Sequence, residues 1–139
     1  MPNQPAEIML HRHPMLLIDE VVSYTETGAT LQTTFTPNRY GISNGSVSEP
    51  ALIECMAQAV AAHRGQLARD RGIAPQPGML VGVQELTIHV EAACDVPLIT
   101  TIQIARKLGP LYLVDCTITQ DDQQIASGAL KFFAPDESE

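Results

Sequence analysis

Glu54 stands in a run that is otherwise almost wholly apolar. Ten of the twelve residues from Ala51 to Ala62 are Ala, Leu, Ile, Val, Met or Cys, and the exceptions are Glu54 and Gln58. A carboxylate set in an apolar wall loses hydration, so it must be neutral, paired or facing a cleft. Gln58 follows four residues later, on the same face if the run is helical. Two roles fit. Glu54 is a buried structural acid, hydrogen-bonded to Gln58 or to a strand, or it is a general acid/base in a cleft, with Gln58 positioning it or a water.

The histidines are the other groups able to move a proton. "HRHP" places His11 and His13 two residues apart, on one face if the segment is extended. No third ligand follows at metal spacing, so no metal site is expected. His13 reads as a structural imidazole in a turn before a strand. For His11, structural and catalytic roles both stay open. His63 and His89 are lone histidines in other elements. His89, between Ile88 and Val90, is expected to point off the core face. Arg39 and Tyr40 lie in a glycine-containing loop, where Tyr40 either lines a pocket or anchors the loop. No nucleophile elbow, phosphate loop or dinucleotide glycine pattern occurs.

The elements that must position these groups follow from the pattern. Residues 1–7 read as a flexible tail. "MLLIDEVVSYT" suits a strand, residues 27–29 a turn, and "TLQTTFT" alternates with strand period, so the pair predicts a hairpin. Residues 37–48 form a long loop. Ser48 is a good N-cap, Pro50 fits a first helical turn, and Gly72 suits the position after the last turn. The helix between them is apolar nearly all round to residue 62 and must be covered on most sides. Four strand-like runs follow, at 79–92, 97–108, 111–121 and 124–134, with short connections that predict an antiparallel meander. Residues 135–139 read as a flexible acidic tail. The order is ββ–α–ββββ: an α+β domain over residues 8–134, with a curved antiparallel sheet of about six strands around one long helix. The sheet edge and the uncovered part of the helix favour pairing with a second copy.

Bulk properties narrow the function. Eight basic and sixteen acidic residues give a net charge of −8, which argues against nucleic acid as a partner. Cys55, Cys94 and Cys116 are odd in number, far apart and in apolar runs. They read as reduced small apolar side chains, which fits a cytoplasmic protein. No signal peptide is expected at the N-terminus, and no apolar run is long enough to cross a membrane.

"MLHRHPMLLIDEVV" followed by "ALIECMAQA" resembles the 3-hydroxyacyl-[acyl-carrier-protein] dehydratases, hotdog-fold proteins of the FabZ/FabA type, over roughly residues 8–134. The chain is most similar to the divergent branch that includes dehydratase-like proteins of aryl polyene clusters. The resemblance implies a hotdog fold, a homodimer or larger assembly, and a site at the subunit interface. The implied substrate is an acyl chain on the pantetheine of acyl carrier protein or coenzyme A, and no cofactor is implied. Glu54 falls on the family's catalytic acid. In the family, a histidine removes the proton alpha to the thioester carbonyl, the acid assists departure of the 3-hydroxyl as water, and a backbone N–H at the helix start polarises the carbonyl. That N–H corresponds to Glu49. Gln58 and Tyr40 join Glu49 as expected substrate-binding residues.

Two positions depart from the pattern. Tyr40 stands where the family's loop histidine falls, and Ser48-Glu49 replaces the Pro-Gly that opens the helix. His11 matches a histidine position that ordinary members keep, and is the expected base. Two other readings keep the fold: an acyl thioesterase with Glu54 activating water, or an inactive acyl-binding subunit that partners an active dehydratase.

Overall fold

The computed structural model describes residues 4–10, 12, 15–74 and 78–134. The first element is a single turn, α1 (Pro5–Ile8), then β1 (Glu20–Tyr24), β2 (Gly28–Thr33), and two short strands, β3 (Ile42–Ser43) and β4 (Ser46–Val47). The long helix α2 (Glu49–Asp70) follows, and four strands complete the chain: β5 (Met79–Ile88), β6 (Leu98–Leu108), β7 (Leu111–Gln120) and β8 (Gln123–Phe133).

Helix α2 begins and ends where its sequence dictates. The Ser48 hydroxyl accepts the Ala51 N–H at 3.3 Å, and Pro50 occupies a position where a missing donor costs nothing. Gly72 takes the left-handed conformation beyond the last turn, at φ +74°. The helix lies in the concave face of one six-stranded sheet, ordered β1-β2-β6-β7-β8-β5 with every neighbour antiparallel. Leu52, Cys55, Met56, Ala59 and Ala62 of α2 are buried with Leu31, Leu98, Ile102, Val114, Cys116, Ile118 and Leu130 of the sheet. The alanines keep the helix thin, so the sheet can curl close to it. This is the expected hotdog arrangement.

Three expectations need correction. Residues 4–7 are not a loose tail. Gln4 N–H donates to the Glu7 carboxylate at 2.8 Å, and Pro5 and Ile8 are buried. The apolar bed they find is α2, at Gly65. Residues 1–3 and 135–139 lie outside the described residues. Second, Met15–Asp19 does not join the strand: β1 starts at Glu20, because the backbone before it bonds side chains instead, as shown below. Third, the last four strands are not one meander. β5 pairs with β8 and β6 with β2, so residues 89–97 cross the sheet end. Buried Gln120 holds that crossing: its carbonyl accepts from Ala93 N–H at 2.9 Å, and its amide donates to the carbonyls of Ala93 and Val96 at 3.0 Å each. The long loop also contains structure. Asn44 and Gly45, both at positive φ, turn β3 into β4.

Gly65 provides a test of the α1 contact. Alanine normally favours a helix interior by about 1 kcal/mol over glycine. Here an added Cβ would overlap the Ile8 carbonyl oxygen. Gly65→Ala is therefore expected to lose a net of about 1–3 kcal/mol, as overpacking does. The check is the urea midpoint, with limited proteolysis of the N-terminal segment. An unchanged midpoint would mean that α1 yields without cost.

The crossing leaves β5 at the sheet edge. Its side chains Met79 and Val81 are 62% and 50% exposed, so an apolar strand presents an unpaired edge. No helix among the described residues is long and apolar enough to cross a membrane.

Candidate active site

Glu54 sits in the second turn of α2, half-buried. Gln58, one turn on, is fully buried and makes three hydrogen bonds. Its carbonyl accepts the Leu17 N–H at 2.7 Å. Its amide donates to the Met15 carbonyl at 2.7 Å and to Glu54 Oε2 at 2.9 Å. The Leu17 N–H can only donate and the Met15 carbonyl can only accept, so the orientation of the amide is determined. Gln58 must present its second N–H to the carboxylate. Sequence spacing predicts the Glu54–Gln58 pair, and the structure brings the two together.

The same amide therefore ties Glu54 to the chain that leaves "HRHP". His11 and His13 themselves lie outside the described residues, so the expected base is not placed. His63 offers no substitute. It is nine residues beyond Glu54, roughly 13 Å along the helix axis. It is buried, its Nε2 is 2.7 Å from the Thr25 carbonyl, and burial lowers its pKa, opposed by that hydrogen bond. It is a neutral tie between helix and hairpin. His89 is exposed and near the Ser127 hydroxyl, as expected for a residue off the core face.

Sequence reading places Arg39 in the loop but gives it no role in the site. Its Nη1 is 2.9 Å from Asp19 Oδ1 and donates to the Thr34 carbonyl at 2.8 Å. Its Nη2 donates to the carbonyls of Leu16 and Leu17 at 3.0 Å each. Asp19 in turn accepts the Thr34 N–H at 2.7 Å. Segment 15–19 is thus held from one side by Arg39 and from the other by Gln58, and both act on the placement of Glu54. Arg39 carried no periodic signal, since its partners lie up to 23 residues away.

Next to Arg39, Tyr40 is exposed, and its loop reaches the helix start through the Ser48 N–H, which donates to the Gly41 carbonyl at 2.8 Å. A Cβ at Gly41, which sits at φ +104°, would lie 2.6 Å from the Ala51 Cβ. Only glycine allows the loop this close to the helix. Glu49, in the first helical turn, is exposed.

Cys55 adjoins Glu54 but is no nucleophile. Burial pushes its thiol up to about 12, and that of Cys116 likewise to about 12. Their thiolate fractions at pH 8 are then about one in ten thousand, and only the thiolate reacts. Cys94 is partly exposed, with Sγ 3.4 Å from the Gly45 carbonyl. Alkylation of the native protein with iodoacetamide at pH 8 is expected to modify Cys94 alone, with Cys55 and Cys116 reacting after denaturation. Mass mapping checks this. Early labelling of Cys55 would mean that the helix opens.

Comparison with known proteins decides the family. The model for the ApeP-like family, described as ApeP dehydratase, matches residues 3–139. The chain belongs to the ApeP-like dehydratase family. An uncharacterized thioester dehydrase of Halalkalibacterium halodurans is 22% identical to this ApeP-like chain over 139 residues, covering 96% of it and 89% of the relative. Among solved structures, the dehydratase heterocomplex ApeI:P from Xenorhabdus doucetiae contains a chain that matches with a TM-score of 0.88 at 19% identity, covering 100% of this chain and 95% of that one. A hypothetical thioesterase with coenzyme A from Streptococcus pneumoniae matches at 0.68 and 12% identity, covering 83% and 84%. These likenesses show the hotdog fold.

Proposed function

We propose that this protein is a dehydratase of 3-hydroxyacyl thioesters, carried on acyl carrier protein in the cytoplasm. The observation that carries the reading is the Glu54 carboxylate, set in the central helix of a dehydratase-family chain and aimed by a buried amide with no other freedom. In the step we propose, His11 removes the proton at C2 of the acyl chain. The electron pair forms the C2–C3 double bond, and the C3–O bond breaks. Glu54 supplies a proton to the departing hydroxyl, which leaves as water. The Glu49 N–H polarises the thioester carbonyl. In the first turn Pro50 has no N–H and that of Ala51 is taken by Ser48, and the helix dipole adds its positive end there. Tyr40 completes the substrate-binding set, whereas Gln58, fully buried with its amide committed to Leu17, Met15 and Glu54, acts on the substrate only through Glu54.

The apolar β5 edge supports an assembly in which a second copy, or another hotdog subunit, adds its own β5. Tyr40, at the family's histidine position, favours the mixed assembly, because such a subunit can bring a histidine that this loop lacks. The ApeI:P heterocomplex is the precedent among similar structures.

The test is a single-turnover assay with a 3-hydroxyacyl chain on acyl carrier protein, alone and with a second hotdog dehydratase subunit. The 2-enoyl thioester should accumulate without release of free thiol. Thiol release instead would establish a thioesterase. Activity only in the mixture, undiminished by Glu54→Gln, would establish an acyl-binding partner subunit.

A further inference from the structure

Two threonines of the sheet are enclosed in the core. Thr33 and Thr100 are 0% and 1% exposed, and among the described residues neither hydroxyl has a hydrogen-bond partner. The strand register makes them neighbours. Thr33 of β2 stands opposite Leu98 of β6, and Thr100 of β6 stands opposite Leu31 of β2, so the two threonines are diagonal on the inward face. Diagonal positions lie roughly 7 Å apart, and the two hydroxyls do not bond each other.

The surroundings supply no other strong partner. Buried Leu31 and Ile118 flank Thr100 on the neighbouring strands, and buried Leu98 flanks Thr33. Strand β6 lies between β2 and β7, so its backbone groups are committed to two ladders. From the helix, the Cys55 thiol lies beside Thr33 without hydrogen-bond geometry. Burial pushes that thiol up to about 12, so it stays protonated, and a protonated thiol is a weak donor and a weak acceptor.

A buried hydroxyl without a partner carries the full cost of its desolvation. Two such groups on adjoining strands share one remedy. An internal water makes two to four hydrogen bonds to buried polar groups. Two bonds of about 2.8 Å from one water span a gap of about 5–6 Å, which suits hydroxyls on diagonal positions. An ion does not suit the place, because two hydroxyls and a thiol bring no charge to offset one.

We infer that Thr33 and Thr100 bind one internal water between β2, β6 and α2, with the Cys55 thiol as its third and weakest neighbour. The water joins two strands to the helical turn that carries Glu54, at a point where the core is otherwise apolar.

A high-resolution crystal structure of the full chain and urea unfolding of valine variants test it. A spherical peak within about 2.7–3.0 Å of both Oγ1 atoms is expected. Thr33→Val and Thr100→Val should each lower the urea midpoint, because each leaves the other hydroxyl and the water short of a partner. The double variant should lose less than the sum of the two, because the same water is lost only once. No peak between the hydroxyls would overturn the site, and that result decides alone where a variant does not fold. Single variants with an unchanged or raised midpoint would overturn it too, as expected of hydroxyls that never had a partner. Additive losses would mean that the two threonines share no water. Elongated density in place of a sphere would replace the water with an organic ligand and overturn the inference.

Discussion

Glu54→Gln is expected to cut dehydration by about a hundredfold to ten-thousandfold, the usual contribution of one general acid/base, while leaving the melting temperature within a degree or two. The reasoning is local. A glutamine at position 54 keeps a carbonyl oxygen where Glu54 Oε2 now accepts from Gln58 at 2.9 Å, so the buried amide loses no partner. What is lost is a group able to give up a proton to a leaving hydroxyl. A purely structural acid predicts the opposite pair of results: turnover kept and stability changed, since the ionic contribution at that position would go. Measuring kcat and thermal stability on the same preparation therefore separates the two roles of a carboxylate in an apolar helix. If a second subunit is needed for activity, the comparison is made in the mixture, and the same split between turnover and stability applies.

The acid was legible in the sequence because local patterns carry it. Glu54 breaks an apolar run, and Gln58 sits at the one spacing that meets it on a helix. The helix boundaries were legible for the same reason: Ser48, Pro50 and Gly72 act within a few residues of where they stand. The strand partners were less so. A pattern of alternation says that residues 79–88 form a strand, but not that the strand pairs with β8 at the sheet edge. That depends on how residues 89–97 run, and on Gln120 reaching back to hold them. The Asn44-Gly45 turn carried a local signal that the length of the surrounding loop obscured. Arg39 had none. A lone cation among Pro, Asn, Tyr and Gly reads as a solvated loop residue until its partners on a distant segment are known.

Arg39→Met is expected to destabilise the protein by about 3 kcal/mol and to lower turnover as well. Hydrogen bonds to charged groups contribute about 1.5–3 kcal/mol each, and the guanidinium bonds the carbonyls of Leu16, Leu17 and Thr34 in addition to Asp19. The sum is discounted because the pair is partly wet: the Arg39 and Asp19 side chains are 17% and 39% exposed, so water replaces part of what is lost. The guanidinium also lies 5.6 Å from the centre of the Phe35 ring, a contact that methionine gives up together with the hydrogen bonds. Lysine should recover little. One ammonium cannot reach Thr34 on one side and Leu16 and Leu17 on the other, whereas the planar fork does both. The loss should reach Glu54 through Gln58, whose Leu17 and Met15 partners belong to the loosened segment. A positioning fault of this kind predicts a fall in kcat larger than any rise in KM, with faster hydrogen exchange at the Leu17 and Thr34 amides. Full rescue by lysine would mean instead that only the charge opposite Asp19 matters, and that the carbonyl clamp contributes nothing to the site.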